Sequence, residues 1–340
     1  MKRILVTGAG GYIGTTLVPK LIDAGYEVVA VDRYFFGNDL IENHKNLHIV
    51  REDCRKLCRS IFYGIDAVID LVAISNDPSG ELFGKVTYEI NRDSRIRTAK
   101  LAKSAGVSRY ILPSSCSIYG FQPEGVIADE ESATNPLTNY AKANMEAENG
   151  ILPMADEAFT VVVLRQSTVY GYSPRMRFDL AINGMTYGAF TTRKLPLMRD
   201  GTQWRPMVHV ADAADAQMFM LTAGKELINK QIYNVGSDKN NYRLSDLAEK
   251  VAHVVGEDID ITWYGDPDHR SYRVSFDKIE SLGYRAKFIA EDGVKEILTR
   301  LISGNLERTD RTITLTWYKN LIEWNKVIDD TKLYGGILEI

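Results

Sequence analysis

Cysteine is scarce in this chain. Its 340 residues include three, Cys54, Cys58 and Cys116. The one short spacing, C-x3-C, has no second pair and no nearby histidine, which excludes a disulfide framework and the common zinc sites and fits a reducing compartment. The five histidines, His44, His48, His209, His253 and His269, lack metal-ligand spacing, so no metal is expected. There is no basic surplus either. With 41 Lys and Arg against 45 Asp and Glu the net charge is −4, which leaves nothing to hold nucleic acid through its phosphates. No run approaches ~18 uninterrupted apolar residues, and the apolar start of "MKRILVTGAG" stops at glycine, so neither a membrane span nor a leader is expected. The expectation is a soluble, cytoplasmic protein.

What is present is alternation. Short β-branched runs, "RILVTG", "EVVAVDR", "LHIVRED", "DAVIDLVAI", "RYILPSS" and "TVVVLRQSTVYG", are separated by amphipathic stretches near 12–24, 85–105 and 136–156. Continuous apolar strands joined by helices make βαβ units, so the fold class is α/β, a doubly wound parallel sheet of Rossmann type. Pro19 sits awkwardly inside the first helical stretch. After Gly171 the pattern loosens into an Arg-, Gly- and Pro-rich segment. Residues 1–174 are therefore expected to form a dinucleotide-binding domain, to which elements from about 206–238 return. Residues 175–340 mainly form a smaller, interleaved α+β substrate domain, ending in an amphipathic helix, "TLTWYKNLIEWNKVI", that packs on the body or serves an oligomer.

The stretch "VTGAGGYIG" places Gly8, Gly11 and Gly14 directly after the first strand. Glycines there let the backbone approach a pyrophosphate, which sits at the N-terminus of a helix beginning near Tyr12 and Ile13. Asp32, ending the second strand, can accept the ribose hydroxyls of an adenosine and repels a 2′-phosphate, which favours NAD over NADP; Arg33 beside it weakens that preference. Asp53 is placed to bind the adenine amine or to cap a turn. Leu71, Ala73 and Asn91 fall where loops over the cofactor, or ordinary loop packing, are expected.

"PSSCSIYG" closes the fifth strand at the sheet's carboxyl edge, where such sheets bind ligands. With the glycine pattern, Asp32, "NYAKANMEAE" at 139–148, "DGTQWRPMVHVAD" and "YNVGS", it resembles the extended short-chain dehydrogenase/reductase family, in particular its NAD-dependent nucleoside-diphosphate-sugar epimerases and dehydratases, over roughly residues 2–300. The resemblance implies NAD as cofactor, with Pro113 among its contacts. It also implies a nucleoside-diphosphate sugar as substrate, a homodimer paired through the helices at 85–105 and 136–156, Ser115 as hydrogen-bond partner of the reacting hydroxyl, and Tyr140 as the base. The family's Y-x3-K is broken, because position 144 is Asn. A lysine about 6 Å from the phenol, at an effective dielectric of roughly 20, lowers its pKa by about two units. Asn144 brings no charge, though it can hydrogen-bond a ribose hydroxyl. Three explanations stand: the oxidised nicotinamide's charge suffices, which is favoured; another cation reaches in; or the enzyme is slowed or altered.

Family dehydratases place Asp and Glu after the Ser/Thr, and decarboxylases place Glu at the position of Ser117. Cys116 and Ser117 stand there instead, which disfavours elimination and leaves hydride chemistry. A 4-epimerase through a 4-keto sugar is the leading expectation, ahead of a 4-dehydrogenase or ketoreductase; a non-catalytic dinucleotide sensor is the reading of another class. Arg205 matches the family's diphosphate arginine, and either Arg270 or Arg273 matches the second, unless they pair with Asp266 or Asp268. Ser117, Thr168 and Arg177 are further expected substrate contacts, with Arg175 in the same cleft. Thr168 replaces the asparagine of many relatives.

Overall fold

The computed structural model describes residues 2–256, 258–266 and 270–333. The β-branched runs become β1 (Arg3–Thr7), β2 (Glu27–Asp32), β3 (Leu47–Arg51), β4 (Ala67–Asp70) and β5 (Arg109–Ser115), followed by strands Thr160–Gln166 and Gln231–Val235. All seven are parallel, in the order Gln231–Val235, Thr160–Gln166, β5, β4, β1, β2, β3. The central strands are buried along their whole length, with apolar interiors, because both faces are covered, whereas β3, at the edge, is partly exposed. Two apolar clusters fill the faces. One centres on Leu17, Leu21, Ile69 and Leu164, the other on Leu5, Phe62, Val68 and Val163.

The first helix, Gly14–Asp23, keeps Pro19 on its solvent side. The expected helix at 85–105 is composite: α-helical at Gly84–Tyr88, π-helical at Glu89–Ser94, and α-helical again at Arg95–Ser104. From the stretch 206–238, Gln231–Val235 joins the large sheet and the helix Val210–Thr222 packs on the first helix, with Lys20 Nζ 2.6 Å from Asp215. Trp204–His209 does not join it. This strand pairs with Thr168–Tyr170 and Asn241–Arg243 in a separate three-stranded sheet. The long run "TVVVLRQSTVYG" is therefore cut at Ser167, whose N–H bonds Val235 before the chain changes sheets.

The helix Asn139–Ile151 starts at Thr138, whose hydroxyl accepts from Ala141 N–H. A buried ion pair fixes its far end: Arg165 Nη2 lies 2.8 Å and Nε 3.1 Å from Glu148 Oε2, and Ser114 Oγ also donates to that carboxylate. Removing one partner of such a pair leaves a buried charge uncompensated. Glu148→Ala is therefore expected to cost about 3–5 kcal/mol in urea unfolding, and Glu148→Met/Arg165→Met to recover most of it.

Candidate active site

A cleft of about 560 Å³ opens over the carboxyl edge of the large sheet and brings the glycine loop, Ser115, Tyr140 and Arg205 together. Gly8, at φ +65°, approaches the chain after β4 so closely that a Cβ would sit 2.7 Å from Val72 N, and a Cβ on Gly14 would collide with Gly8 O. Asp32 holds this loop: Oδ2 accepts from Gly10 N–H at 3.0 Å and Oδ1 from Tyr34 N–H at 2.7 Å. Burial raises its carboxyl pKa, and these N–H groups work against the rise. Gly11, Ile13, Leu71 and Ala73 line the same end. Such a cradle fits a dinucleotide: backbone without side chains at a helix N-terminus, faced by a carboxylate at the end of β2.

Other expected contacts have different occupations. Tyr12 lines the cleft but gives its hydroxyl to Gly171 O and receives Asn183 Nδ2 at 3.0 Å, tying the loop to the segment beyond Tyr170. Asp53 accepts from Arg55 Nη2 at 2.7 Å and Nε at 3.0 Å, and from Arg33 Nη1 at 3.3 Å. The Arg55 guanidinium holds its carboxyl down at about 2. Asn91 is fully buried and stays out of the cleft; its amide accepts from Ile74 N–H at 2.8 Å and donates to Ile74 O at 3.0 Å, bracing the loop after β4. Pro113 is also outside, with its carbonyl engaged by Arg95.

Tyr140 and Ser115 meet. Both line the cleft, and Ser115 Oγ accepts from Ser117 N–H at 3.1 Å. Burial raises the phenol's pKa most and Asp77 raises it further, while the nearby Ser115 hydroxyl, Arg95 and Arg177 lower it. Asn144 is buried away from the cleft, which corrects the expectation of a ribose contact. Its Oδ1 accepts from Arg95 Nη1 at 2.9 Å, and its Nδ2 donates to Tyr140 O at 2.9 Å. Cys116 is buried with Sγ on Arg165 O at 3.1 Å and its thiol pushed up by burial, and Ser117 is the cleft hydroxyl beside Ser115.

Arg205, Arg270 and Thr168 line the other end; Arg270 Nη1 pairs with Asp77. Arg273 does not line the cleft. It stacks on Trp204 at 4.8 Å, a consequence of its place in the short strand beside Ile127–Ala128. Asp268 and His269 lie outside the described residues. Arg177 is held by Asp179, at 2.8 Å and 3.1 Å, and by Ser75 Oγ at 3.1 Å. Sequence reasoning missed Arg95, Asp77, and the aromatic end formed by Phe35, Phe36 and Tyr318. Trp317 Nε1 donates to Phe35 O at 2.6 Å, which seats the start of helix Thr314–Leu333 there, while Trp324, Val327 and Ile328 farther along are exposed. Among the described residues no group of three or more His, Cys, Asp or Glu could hold a metal, and no helix is long and apolar enough to cross a membrane.

The model of the NAD dependent epimerase/dehydratase family matches residues 4–236. The chain is 26% identical to a dTDP-D-glucose 4,6-dehydratase of Mus musculus over 95% of this chain and 90% of that protein. It is also 26% identical to UDP-arabinose 4-epimerase 1 of Arabidopsis thaliana, over 77% and 70%. In fold it superposes on the UDP-glucuronic acid 4-epimerase of Bacillus cereus, solved with UDP-glucuronic acid and NAD, with a TM-score of 0.80 at 21% identity, covering 88% and 99% of the two chains.

Arg175 supplies a test of the cradle. It is buried in the cleft wall beside the first helix, stacked 3.6 Å over Phe36, with Nη2 on Thr314 Oγ1 at 2.9 Å and with Nε and Nη1 buried without a partner. Burial and then Arg177 work against its charge. An anionic ligand would relieve both. Arg175→Met is expected to weaken NAD binding about ten- to hundred-fold in calorimetry, while the cofactor-free melting temperature holds or rises because an unpaired buried charge is gone.

Proposed function

Because the chain belongs to the NAD dependent epimerase/dehydratase family, we propose that it is a 4-epimerase of a nucleoside-diphosphate sugar. The observation that carries this reading is that Tyr140 and Ser115 line one cleft with the glycine loop, and that Cys116 and Ser117, not acids, follow Ser115. Relatives that eliminate water and relatives that epimerise match this chain equally well, so the residues have to decide. Cys116 faces Arg165 O rather than the cleft, and Ser117 is a poor proton donor, so hydride transfer without elimination is the chemistry the site supports.

NAD, when bound in the glycine cradle, supplies the hydride acceptor and donor. Ser115 orients the sugar's C4 hydroxyl, and Tyr140, as phenolate, takes its proton and later returns one to O4 of the 4-keto sugar once that sugar has turned its other face to the nicotinamide. Arg205 and Arg270 hold the diphosphate while the sugar turns, a task for which guanidinium forks are suited. In this reading residues 1–174 with Gln231–Val235 serve the cofactor, and the later segments serve the sugar nucleotide. The pairing of two copies through the adjacent helices Arg95–Ser104 and Asn139–Ile151 belongs to the same proposal.

Incubation with a panel of sugar nucleotides tests it. C4-inverted product without net reduced cofactor is expected. Accumulating reduced cofactor would mark a dehydrogenase, and binding without conversion a sensor. Tyr140→Phe should slow conversion by about 10²–10⁴-fold. Since the base acts ionised and burial raises its pKa, the rate should climb with pH through neutrality and fall about tenfold per unit toward acid.

A further inference from the structure

The residue at 144 lacks the charge that a tyrosine base needs, yet the packed interior behind it is not without charge. Arg95 is 1% exposed and its guanidinium lies against Asn144. Nη1 donates to Asn144 Oδ1 at 2.9 Å, Nη2 donates to Asp70 O at 3.0 Å and to Pro113 O, and Nε lies 3.8 Å from Asp70 Oδ2. Asn144 closes the chain of contacts by donating to the carbonyl of Tyr140 itself at 2.9 Å. The π-helical turn Glu89–Ser94 ends one residue before Arg95. Asn91, four residues back, holds the cleft loop after β4. One turn of helix thus braces the loop and delivers a cation behind the phenol.

We propose that Arg95 is a positioning residue that supplies, from the neighbouring helix and through Asn144, the fixed positive charge that a lysine four residues after the tyrosine would otherwise provide. This rests on Tyr140 being the base. The charged groups that act on the phenol are Asp77, at the start of the helix Asp77–Leu82, Arg177, in the segment after Tyr170, and Arg95; the Ser115 hydroxyl is its neutral neighbour. Arg177 is already neutralised by Asp179. Asp70 partly offsets Arg95, but at 3.8 Å and from the side away from Asn144.

The substitution divides lysine's two tasks. Arginine does not deprotonate in the working range of an enzyme, so its charge stays constant where a buried lysine would titrate. Arg95 has Nη1 and Nη2 committed to Asn144, Asp70 O and Pro113 O, keeps Nε buried, and does not line the cleft, so it contributes field and no ribose contact. Asn144 fits this arrangement as an uncharged acceptor. A lysine there would face the guanidinium directly, so Asn144→Lys alone is expected to lower the melting temperature rather than to raise activity.

The test is a cycle of Arg95→Met, Asn144→Lys and Arg95→Met/Asn144→Lys. The phenol of residue 140 is titrated by ultraviolet difference against Tyr140→Phe, alongside the pH profile of hydride transfer. Arg95→Met should raise the Tyr140 pKa by about one to two units, with a matching loss of rate at neutral pH, and the double variant should bring both back. A phenol whose titration is the same in folded Arg95→Met as in the parent overturns the inference. Should Arg95→Met fail to fold, the double variant decides: a phenol titrating near the parent's value supports equivalence of the two cations, and one well above it refutes it. If the phenol shifts as expected while no sugar nucleotide is converted by any variant, the epimerase reading falls and the electrostatic one stands.

Discussion

The buried carboxylate of Asp70 is the constraint on which the site depends. It ends β4 with no exposed surface and accepts from Thr7 Oγ1 at the end of β1 and from Tyr110 OH on β5, with Arg95 as its counter-charge. A lone carboxylate there would cost several kcal/mol, so its donors must all be present at once. That requirement aligns the ends of β1 and β4, ties both to β5 through Tyr110, and draws the Arg95 helix onto the sheet. The glycine loop follows β1, the cleft loop follows β4 and Ser115 ends β5. Three walls of the cleft therefore inherit their positions from one charge.

The fourth wall is tied on from a distance in sequence. Tyr12 reaches Gly171 O, Ser173 Oγ donates to Tyr12 O at 2.7 Å, and Thr15 Oγ1 lies 2.8 Å from Ser173 Oγ. These bonds, on the first turn of the first helix, bring in the segment carrying Arg175 and Arg177. The same glycine-rich turn whose backbone fits a pyrophosphate is thus also the fastening point for the second half of the cleft. The C-terminal helix completes the enclosure through Trp317 and Tyr318.

The large sheet was legible because its strands are apolar on both faces, a pattern that only a covered parallel sheet explains. The glycines and Asp32 stood out because they follow strands and open a helix, whereas Ser115 and Tyr140 were singled out through the family resemblance, and the structure brings all of them to one cleft. The three-stranded sheet was not, since Thr168–Tyr170 and Asn241–Arg243 are only three residues long and periodicity needs more. Arg95 was invisible for another reason. In a helix with Arg92 and Arg97 nearby, "NRDSRIRTAK" reads as a solvated charged face, and nothing local marks the one arginine that turns inward. Choosing between Arg270 and Arg273 likewise required knowing that Arg273 lies in a strand pair whose geometry turns it onto Trp204.

Arg33 looked in the sequence like a reason to doubt NAD. A cation next to Asp32 could welcome a 2′-phosphate. The structure removes that reading by pairing Arg33 with Asp53 at 3.3 Å and stacking it 4.2 Å over Phe35. Asp53 is in turn saturated by Arg55. The acidic group at the end of β2 is therefore the one that faces the cleft with accepting capacity left, because each Asp32 oxygen has taken one backbone N–H and an ionised carboxylate has about four acceptor sites. A 2′-phosphate there would meet a negative charge, whereas free ribose hydroxyls would meet acceptors, so the local electrostatics select NAD even with arginines on every side.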